Sequence, residues 1–127
     1  MSTVKINPNG GKCSWTLSLN QLKVGVYTAI LFNSNNKVLE RWDNPPQRTD
    51  DGIPDTFVIK TQSSKLKDAV LWWDCIASDP TDQGGPYVCT VSISQDGKIL
   101  SQDPVTGNIP AGNGKLDHVA DQIIFIV

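Results

Sequence analysis

Two short segments of the chain place tryptophan beside aspartate and asparagine. The segments are Trp42-Asp43-Asn44 and Trp72-Trp73-Asp74. The face of an indole ring packs against the C–H face of a sugar, while carboxylate and amide groups hydrogen-bond the sugar hydroxyls. An exposed indole in such surroundings therefore predicts carbohydrate binding. We expect Trp42, Asp43, Asn44, Trp72 and Asp74 to contribute to the ligand site.

Two further acidic residues, Asp79 and Asp82, lie in a segment rich in Pro, Gly and Asp, which is typical of a surface loop. Side chains on such loops carry many of the binding contacts of β proteins. We therefore include both residues in the predicted ligand site.

A third acidic segment is a candidate calcium site. Asp50, Asp51 and Asp55 fall within one short loop, and calcium takes six to eight oxygen ligands from carboxylates, carbonyls and water. The order of acids does not match the twelve-residue helix-loop-helix pattern. Because Asp, Gly and Pro are also common in ordinary turns, a purely structural loop is the alternative.

The sequence gives little indication of a catalytic site. His118 is the only histidine, which excludes a site built from several histidines. Asp117 and Asp121 lie close to it in sequence, but the Gly-x-Ser-x-Gly turn of many hydrolases is missing. We therefore predict that the protein is not an enzyme. A small hydrolase that uses His118 or the loop acids is the third hypothesis for its function.

Alternation of apolar and polar residues dominates the rest of the chain. Segments 13–19 and 87–94 alternate, which is typical of strands with one buried face. Asp96-Gly97 predicts a tight type I′ hairpin turn, and Asn33 to Asn36 reads as another hairpin loop. The predicted strands are 3–6, 13–19, 25–32, 37–43, 56–61, 68–75, 86–94, 98–102 and 119–127. The predicted long polar loops are 44–55, 77–86 and 103–118.

This pattern predicts an all-β fold: one antiparallel β-sandwich domain over residues 1–127, jelly-roll or immunoglobulin-like, with about eight to nine short strands. One short helical turn is expected within 63–70. In the strand 68–75, inward-facing Leu71, Trp73 and Cys75 would leave Trp72 and Asp74 on the outer face. Trp15 alternates with Leu17 and is expected in the core.

Net charge, apolar segments and cysteine count indicate which partners and which cellular compartment to expect. The net charge is −2 without a basic run, so we expect no nucleic-acid partner. No signal-peptide core is present at the N-terminus, and the apolar run 123–127 is far shorter than the roughly 20 residues of a membrane-spanning helix. We therefore expect a soluble protein made in the cytoplasm, with release by a leaderless route left open. Three cysteines predict buried thiols, and a Cys75–Cys89 disulfide is the alternative if the protein is exported.

These observations favour a non-enzymatic, lectin-like binding module. The alternative is a lipid-headgroup-binding or toxin-like component of a cytolysin that docks Trp42 and Trp72 onto a membrane surface. Leu71-Trp72-Trp73-Asp74-Cys75 resembles a segment of the aegerolysins, small β-sandwich proteins that bind membrane lipids, and this resemblance supports the alternative. We also expect a homo-oligomer, because linked weak sites raise avidity, with 119–127 as the expected contact strand.

Overall fold

Two β-sheets packed face to face form the fold. The computed structural model describes residues 1–20, 23–49 and 52–127. Its strands are β1 (Ser2–Lys5), β2 (Cys13–Leu19), β3 (Val24–Phe32), β4 (Val38–Arg41), β5 (Gln47–Thr49), β6 (Asp55–Val58), β7 (Val70–Ser78), β8 (Gly85–Gln95), β9 (Lys98–Ile109) and β10 (Leu116–Ile126). The predicted β-sandwich is confirmed, with ten strands in these residues instead of eight or nine.

One strand pair, at an edge of the larger sheet, is parallel. The larger sheet has the order β1-β10-β7-β3-β4, with β5 also paired to β3, and the smaller sheet has the order β6-β2-β8-β9. β1 runs parallel to β10, whereas the other pairs are antiparallel. The predicted antiparallel sandwich thus contains one parallel pair, β1 with β10. Alternation within a short strand determines which side chains are buried but carries no signal for the direction of its partner.

Strand β2 shows why these sequences form a sandwich. Cys13, Trp15 and Leu17 are fully buried, while the intervening Ser14 and Thr16 lie on the outer face of the smaller sheet. Because successive side chains point to opposite faces, this alternation makes one face apolar and the other polar. The buried residues meet the inner face of the larger sheet and form a single core with it.

The tight connections follow the turn residues. Asp96 and Gly97 join β8 to β9 with positive φ angles of 52° and 76°, as a type I′ turn requires, which confirms the predicted hairpin. The Asn33 side chain accepts hydrogen bonds from the backbone N–H groups of Asn35 and Lys37, which closes the predicted loop between β3 and β4. The short helical turn is also present, as a 3-10 helix at Ser63–Lys65.

The three predicted long loops are shorter than expected. β9 extends to Ile109 and β10 begins at Leu116, so most of the predicted loop 103–118 is strand. Pro104 is tolerated there because β9 is the edge of the smaller sheet, where a missing N–H breaks no central ladder. The segment 44–55 contains β5, and the loop 77–86 shrinks to residues 79–84. Within the described residues, no helix is long and apolar enough to cross a membrane.

Candidate functional site

The outer faces of the two sheets have opposite chemistry. Hydroxyl groups dominate the outer face of the smaller sheet, from Ser14, Thr16, Ser18, Thr90, Ser92 and Ser94. Apolar side chains dominate the outer face of the larger sheet, from Val26, Ile30, Phe32, Val70, Trp72, Ile76 and Ile124. A sheet face exposed to water is normally polar, and a contiguous exposed apolar face marks a contact surface. The outer face of the larger sheet is therefore the candidate binding surface.

Trp72 lies near the middle of this surface. It is opposite Ile30 of β3 on one side and Gln122 of β10 on the other. Its side chain is 38% exposed, whereas that of the neighbouring Trp73 is fully buried. The predicted split of the two tryptophans between the outer and inner faces of β7 is thus present.

An open groove of about 410 Å³ runs beside the Trp72 ring. Phe32 and Val70 form its apolar wall, and Asn36 and Gln122, which both carry amide side chains, complete the lining. Each amide offers two N–H donors and a carbonyl acceptor. The groove therefore combines a flat aromatic platform with neutral hydrogen-bonding groups, which is the chemistry that sugar rings require.

Asp74 lies on the same face as Trp72, two residues further along β7. It accepts a hydrogen bond of 2.7 Å from the Thr28 hydroxyl, and His118 Nε2 lies 3.7 Å from its second oxygen. His118 belongs to β10 and not to the loop-to-strand junction that the sequence predicts. Together the three side chains form a polar row across the apolar face. Asp74 lies next to the groove but does not line it.

The segment at Trp42 lies elsewhere. The Trp42 ring packs edge-on against Trp15 at a centroid distance of 5.4 Å, so it points into the space between the sheets. Arg41 and Asp43 form an ion pair at 2.7 Å, and the hydrogen bond from Arg41 lowers the pKa of Asp43. Asn44 is exposed and precedes a cis peptide bond to Pro45. Trp42, Asp43 and Asn44 do not line the Trp72 groove.

Asp79 holds together the connection between β7 and β8. Its carboxylate accepts hydrogen bonds from the Thr81 N–H and hydroxyl and from the Gly84 N–H, at 2.8, 2.8 and 2.9 Å. Lys23 Nζ lies 3.0 Å from the same carboxylate, and both side chains are largely buried. Asp82 is exposed in this connection, with a φ of 61°. Because its oxygens are occupied within the chain, we leave Asp79 out of the proposed ligand site.

Replacing Asp79 should make folding less stable at neutral pH but not in strong acid. Hydrogen bonds from Thr81 and the Lys23 ammonium lower the pKa of Asp79 to about 2. A lowered pKa contributes stability above the unfolded-state value near 4, and this contribution is lost as the pH falls toward 2. We expect Asp79→Ala to melt below the wild type at pH 7, with Asp79→Asn in between, and the three curves to converge near pH 2. Thermal melts followed by circular dichroism from pH 2 to 7 measure this, and a gap that stays constant with pH would contradict it.

The predicted calcium residues are only partly described. Asp50 and Asp51 lie outside the described residues. Asp55 accepts a hydrogen bond of 2.5 Å from the Tyr27 hydroxyl. In residues 1–20, 23–49 and 52–127, no three His, Cys, Asp or Glu side chains are grouped so that they could hold a metal ion. Calcium binding at Asp50, Asp51 and Asp55 stays a prediction.

A separate pair of acids, Asp103 of β9 and Asp121 of β10, lies away from the groove. Asp121 contacts the amino group of Met1 at 2.6 Å. Asp103 is 8% exposed, and burial together with its hydrogen bond to Asp121 raises the pKa of Asp103 to about 6. Ionised Asp103 is therefore unfavourable in the folded protein, and this pair is a candidate source of pH-dependent stability.

Asp103→Asn is expected to stabilise the protein at neutral pH. A folded-state pKa raised from 3.8 to about 6 makes the wild type lose stability as the pH rises from 4 to 6. The variant should be more stable than the wild type at pH 7.5 by roughly 1–3 kcal/mol, since one pKa unit corresponds to about 1.4 kcal/mol. The difference should shrink toward pH 4. Urea denaturation at several pH values measures it, with exposed Asp82→Asn as the control that follows the wild type.

Sequence reasoning found Trp72 and the neighbouring Asp74 but missed the other residues that line the groove. Gln122 and Val70 are outward-facing residues of apolar strands, and alternation alone could have placed them on an outer face. Their position beside Trp72 depends on the pairing register of β7 with β10. Asn36 reaches the groove from the hairpin loop after β3, and no sequence signal connects that loop to Trp72.

Comparisons with known proteins do not identify a family for this chain. No protein-family model matches it, and no similar sequence is found among curated proteins. It is similar to the solved structure of a domain of unknown function, DUF4425, from Bacteroides vulgatus, with 10% identity and a TM-score of 0.38 over 89% of this chain and 94% of that one. It is similar in the same way to a DUF4425 family protein from Bacteroides ovatus, with 10% identity and a TM-score of 0.39 over 90% and 96%. A likeness this distant supports no conclusion about function.

Proposed function

We propose that the protein is a non-enzymatic carbohydrate-binding module whose site is the Trp72 groove. The observation that supports this proposal is an outward-facing indole in a groove that is also lined by the amide-bearing residues Asn36 and Gln122. The indole provides a platform for the apolar face of a sugar ring. The amides provide donors and acceptors for its hydroxyl groups.

The uncharged lining and the open shape of the groove favour one or two neutral sugar units of a longer glycan. The residues that line it carry no charge, so a uronic acid or sulfated sugar would find no cationic partner among them. The groove is open along the sheet and does not enclose its occupant, which suits one or two units of a longer glycan. Such a site binds weakly on its own, and a homo-oligomer would raise its avidity.

The second candidate function is binding to a membrane-lipid surface, as in the toxin-like alternative. The apolar face continues beyond the groove, across the polar row at Asp74. Val26, Ile76 and Leu116 are 39%, 45% and 59% exposed there. Aliphatic side chains on both sides of that row, together with the indole of Trp72, also suit the boundary between lipid headgroups and acyl chains.

Two parallel measurements separate the candidates. A panel of neutral and acidic oligosaccharides is titrated into the protein by isothermal calorimetry, and co-sedimentation is measured with sugar-free phosphatidylcholine vesicles and with vesicles that contain anionic lipid. The carbohydrate proposal expects saturable heat with at least one neutral oligosaccharide and no co-sedimentation. Silence across the sugar panel would contradict it. Co-sedimentation together with that silence would favour the lipid function.

A further inference from the structure

Two of the three cysteines lie on neighbouring segments of the chain but in different sheets. Cys75 is on β7 of the larger sheet and Cys89 is on β8 of the smaller sheet, and both side chains are fully buried. β7 and β8 are interior strands of their sheets and are joined by residues 79–84. Both thiols therefore point from a central strand into the space between the sheets.

Contacts around Gly25 place the two thiols in the same part of that space. A Cβ atom at Gly25 would lie 2.8 Å from Cys75 Sγ and 2.5 Å from Leu19 Cδ1, so side chains of the two sheets meet over this glycine. Leu19 is the register partner of Cys89 on the neighbouring strand. Interaction with Cys75 is also the main cause that raises the pKa of the Cys89 thiol, which requires the two thiols to be close. The two sulfur atoms are thus neighbours across the interior.

Cys13 is different and provides an internal reference. It is also fully buried, but its sulfur lies 3.7 Å from the Ser63 hydroxyl. Its strand position pairs it with Gln95, at the opposite end of β2 and β8 from the Leu19 and Cys89 pair. It is therefore remote from the Cys75–Cys89 pair along the same strands.

We propose that Cys75 and Cys89 are a site of reversible oxidation that forms a disulfide between the two sheets. A low-molecular-weight disulfide is the oxidant: one cysteine thiolate attacks it and releases one small thiol, and the second thiolate then displaces the other. Two thiols of the protein become one S–S bond, and the oxidant is reduced to two thiols. The inference does not depend on the ligand of the Trp72 groove.

Burial determines when this reaction occurs. Interaction with Cys75 and burial raise the pKa of Cys89, and a protonated, inaccessible thiol reacts slowly. Oxidation should therefore proceed while the sheets come together during folding, or after they open. The bridge would close a loop of about 15 residues and restrict the unfolded chain. It would also brace β7, the strand that carries Trp72.

Refolding in a redox buffer tests the proposal without requiring access to the folded core. The full chain is refolded from denaturant in reduced and oxidised glutathione, and the product is examined by intact mass, peptide mapping and thiol titration. We expect a mass lower by two hydrogen atoms, a peptide linking Cys75 to Cys89, and a free Cys13 thiol. The bridged protein should melt roughly 10 °C above the reduced form.

Variants in which one cysteine at a time is replaced by alanine provide the controls. Cys13→Ala should form the same bridge and show the same rise in melting temperature, whereas Cys75→Ala and Cys89→Ala should show neither. The mass and peptide map of the wild type remain decisive if a variant does not fold. Three free thiols after refolding, a bridge that includes Cys13, or a bridged protein that melts no higher than the reduced one would overturn the proposal.

Discussion

Replacing Trp15 by alanine is expected to destabilise the protein by about 3–5 kcal/mol, the usual cost of truncating a buried aromatic side chain to alanine. Trp15 is fully buried and stacks on Phe57 with a centroid distance of 4.7 Å. Tyr27 and Trp42 pack against it edge-on, at 6.0 and 5.4 Å. Alanine would leave a cavity lined by the rings of Tyr27, Trp42 and Phe57. Since a domain of this size has a total stability of only about 5–15 kcal/mol, the loss would be a large fraction of it.

Trp15→Phe is the matched control. Phenylalanine keeps a ring in the same position, and it removes the indole N–H, which is buried and has no hydrogen-bond partner among the described residues. An unsatisfied buried N–H costs free energy, which partly offsets the smaller ring of the variant. We expect Trp15→Phe to lose less than half as much stability as Trp15→Ala. Urea denaturation followed by far-UV circular dichroism measures both, and equal losses would show that aromatic packing is not the cause.

The same residue shows how much of the fold alternation can predict. The spacing of Cys13, Trp15 and Leu17 predicts all three in the core, and all three are fully buried, because a period of two defines the faces of a strand. The turn at Asp96-Gly97 was equally predictable, since few residue pairs adopt two positive φ angles easily. The direction of β1 and the full length of β9 were not. The direction of β1 depends on its pairing with β10, which is distant in sequence. The length of β9 depends on how far its pairing with β8 continues beyond the turn, which local composition does not show.

The candidate site was less predictable than the fold, because it depends on tertiary packing that local sequence does not show. Trp42 and Trp72 have similar neighbours in sequence, yet Trp42 turns inward onto Trp15 and Trp72 turns outward. Alternation within β7 predicts the orientation of Trp72. Trp42 follows the end of β4, where no strand period continues. Local composition therefore identified two equivalent candidates, and only tertiary packing distinguishes them.

Trp72→Ala is the substitution with the largest expected effect on binding. The variant should bind the best oligosaccharide of the panel at least about tenfold more weakly, because a lost stacking contact of 1.4 kcal/mol corresponds to a factor of ten. Its fold should be retained, since Trp72 points away from the core and is 38% exposed. Calorimetric titration measures the affinity, and thermal melts check that the fold is unchanged.

Ile76→Ala tests whether binding uses only the groove or also the rest of the apolar face. Ile76 lies on the same strand and face as Trp72, is 45% exposed, and is separated from Trp72 by the polar row at Asp74. If a sugar stacks on the indole, Ile76→Ala should bind like the wild type, while Gln122→Ala should be weakened by the loss of its amide contacts. If the whole face contacts lipid, Ile76→Ala and Trp72→Ala should both reduce vesicle binding, and Gln122→Ala should not. Wild-type sugar affinity in Trp72→Ala would exclude the groove as the carbohydrate site, because no other described residue that lines it has an indole ring.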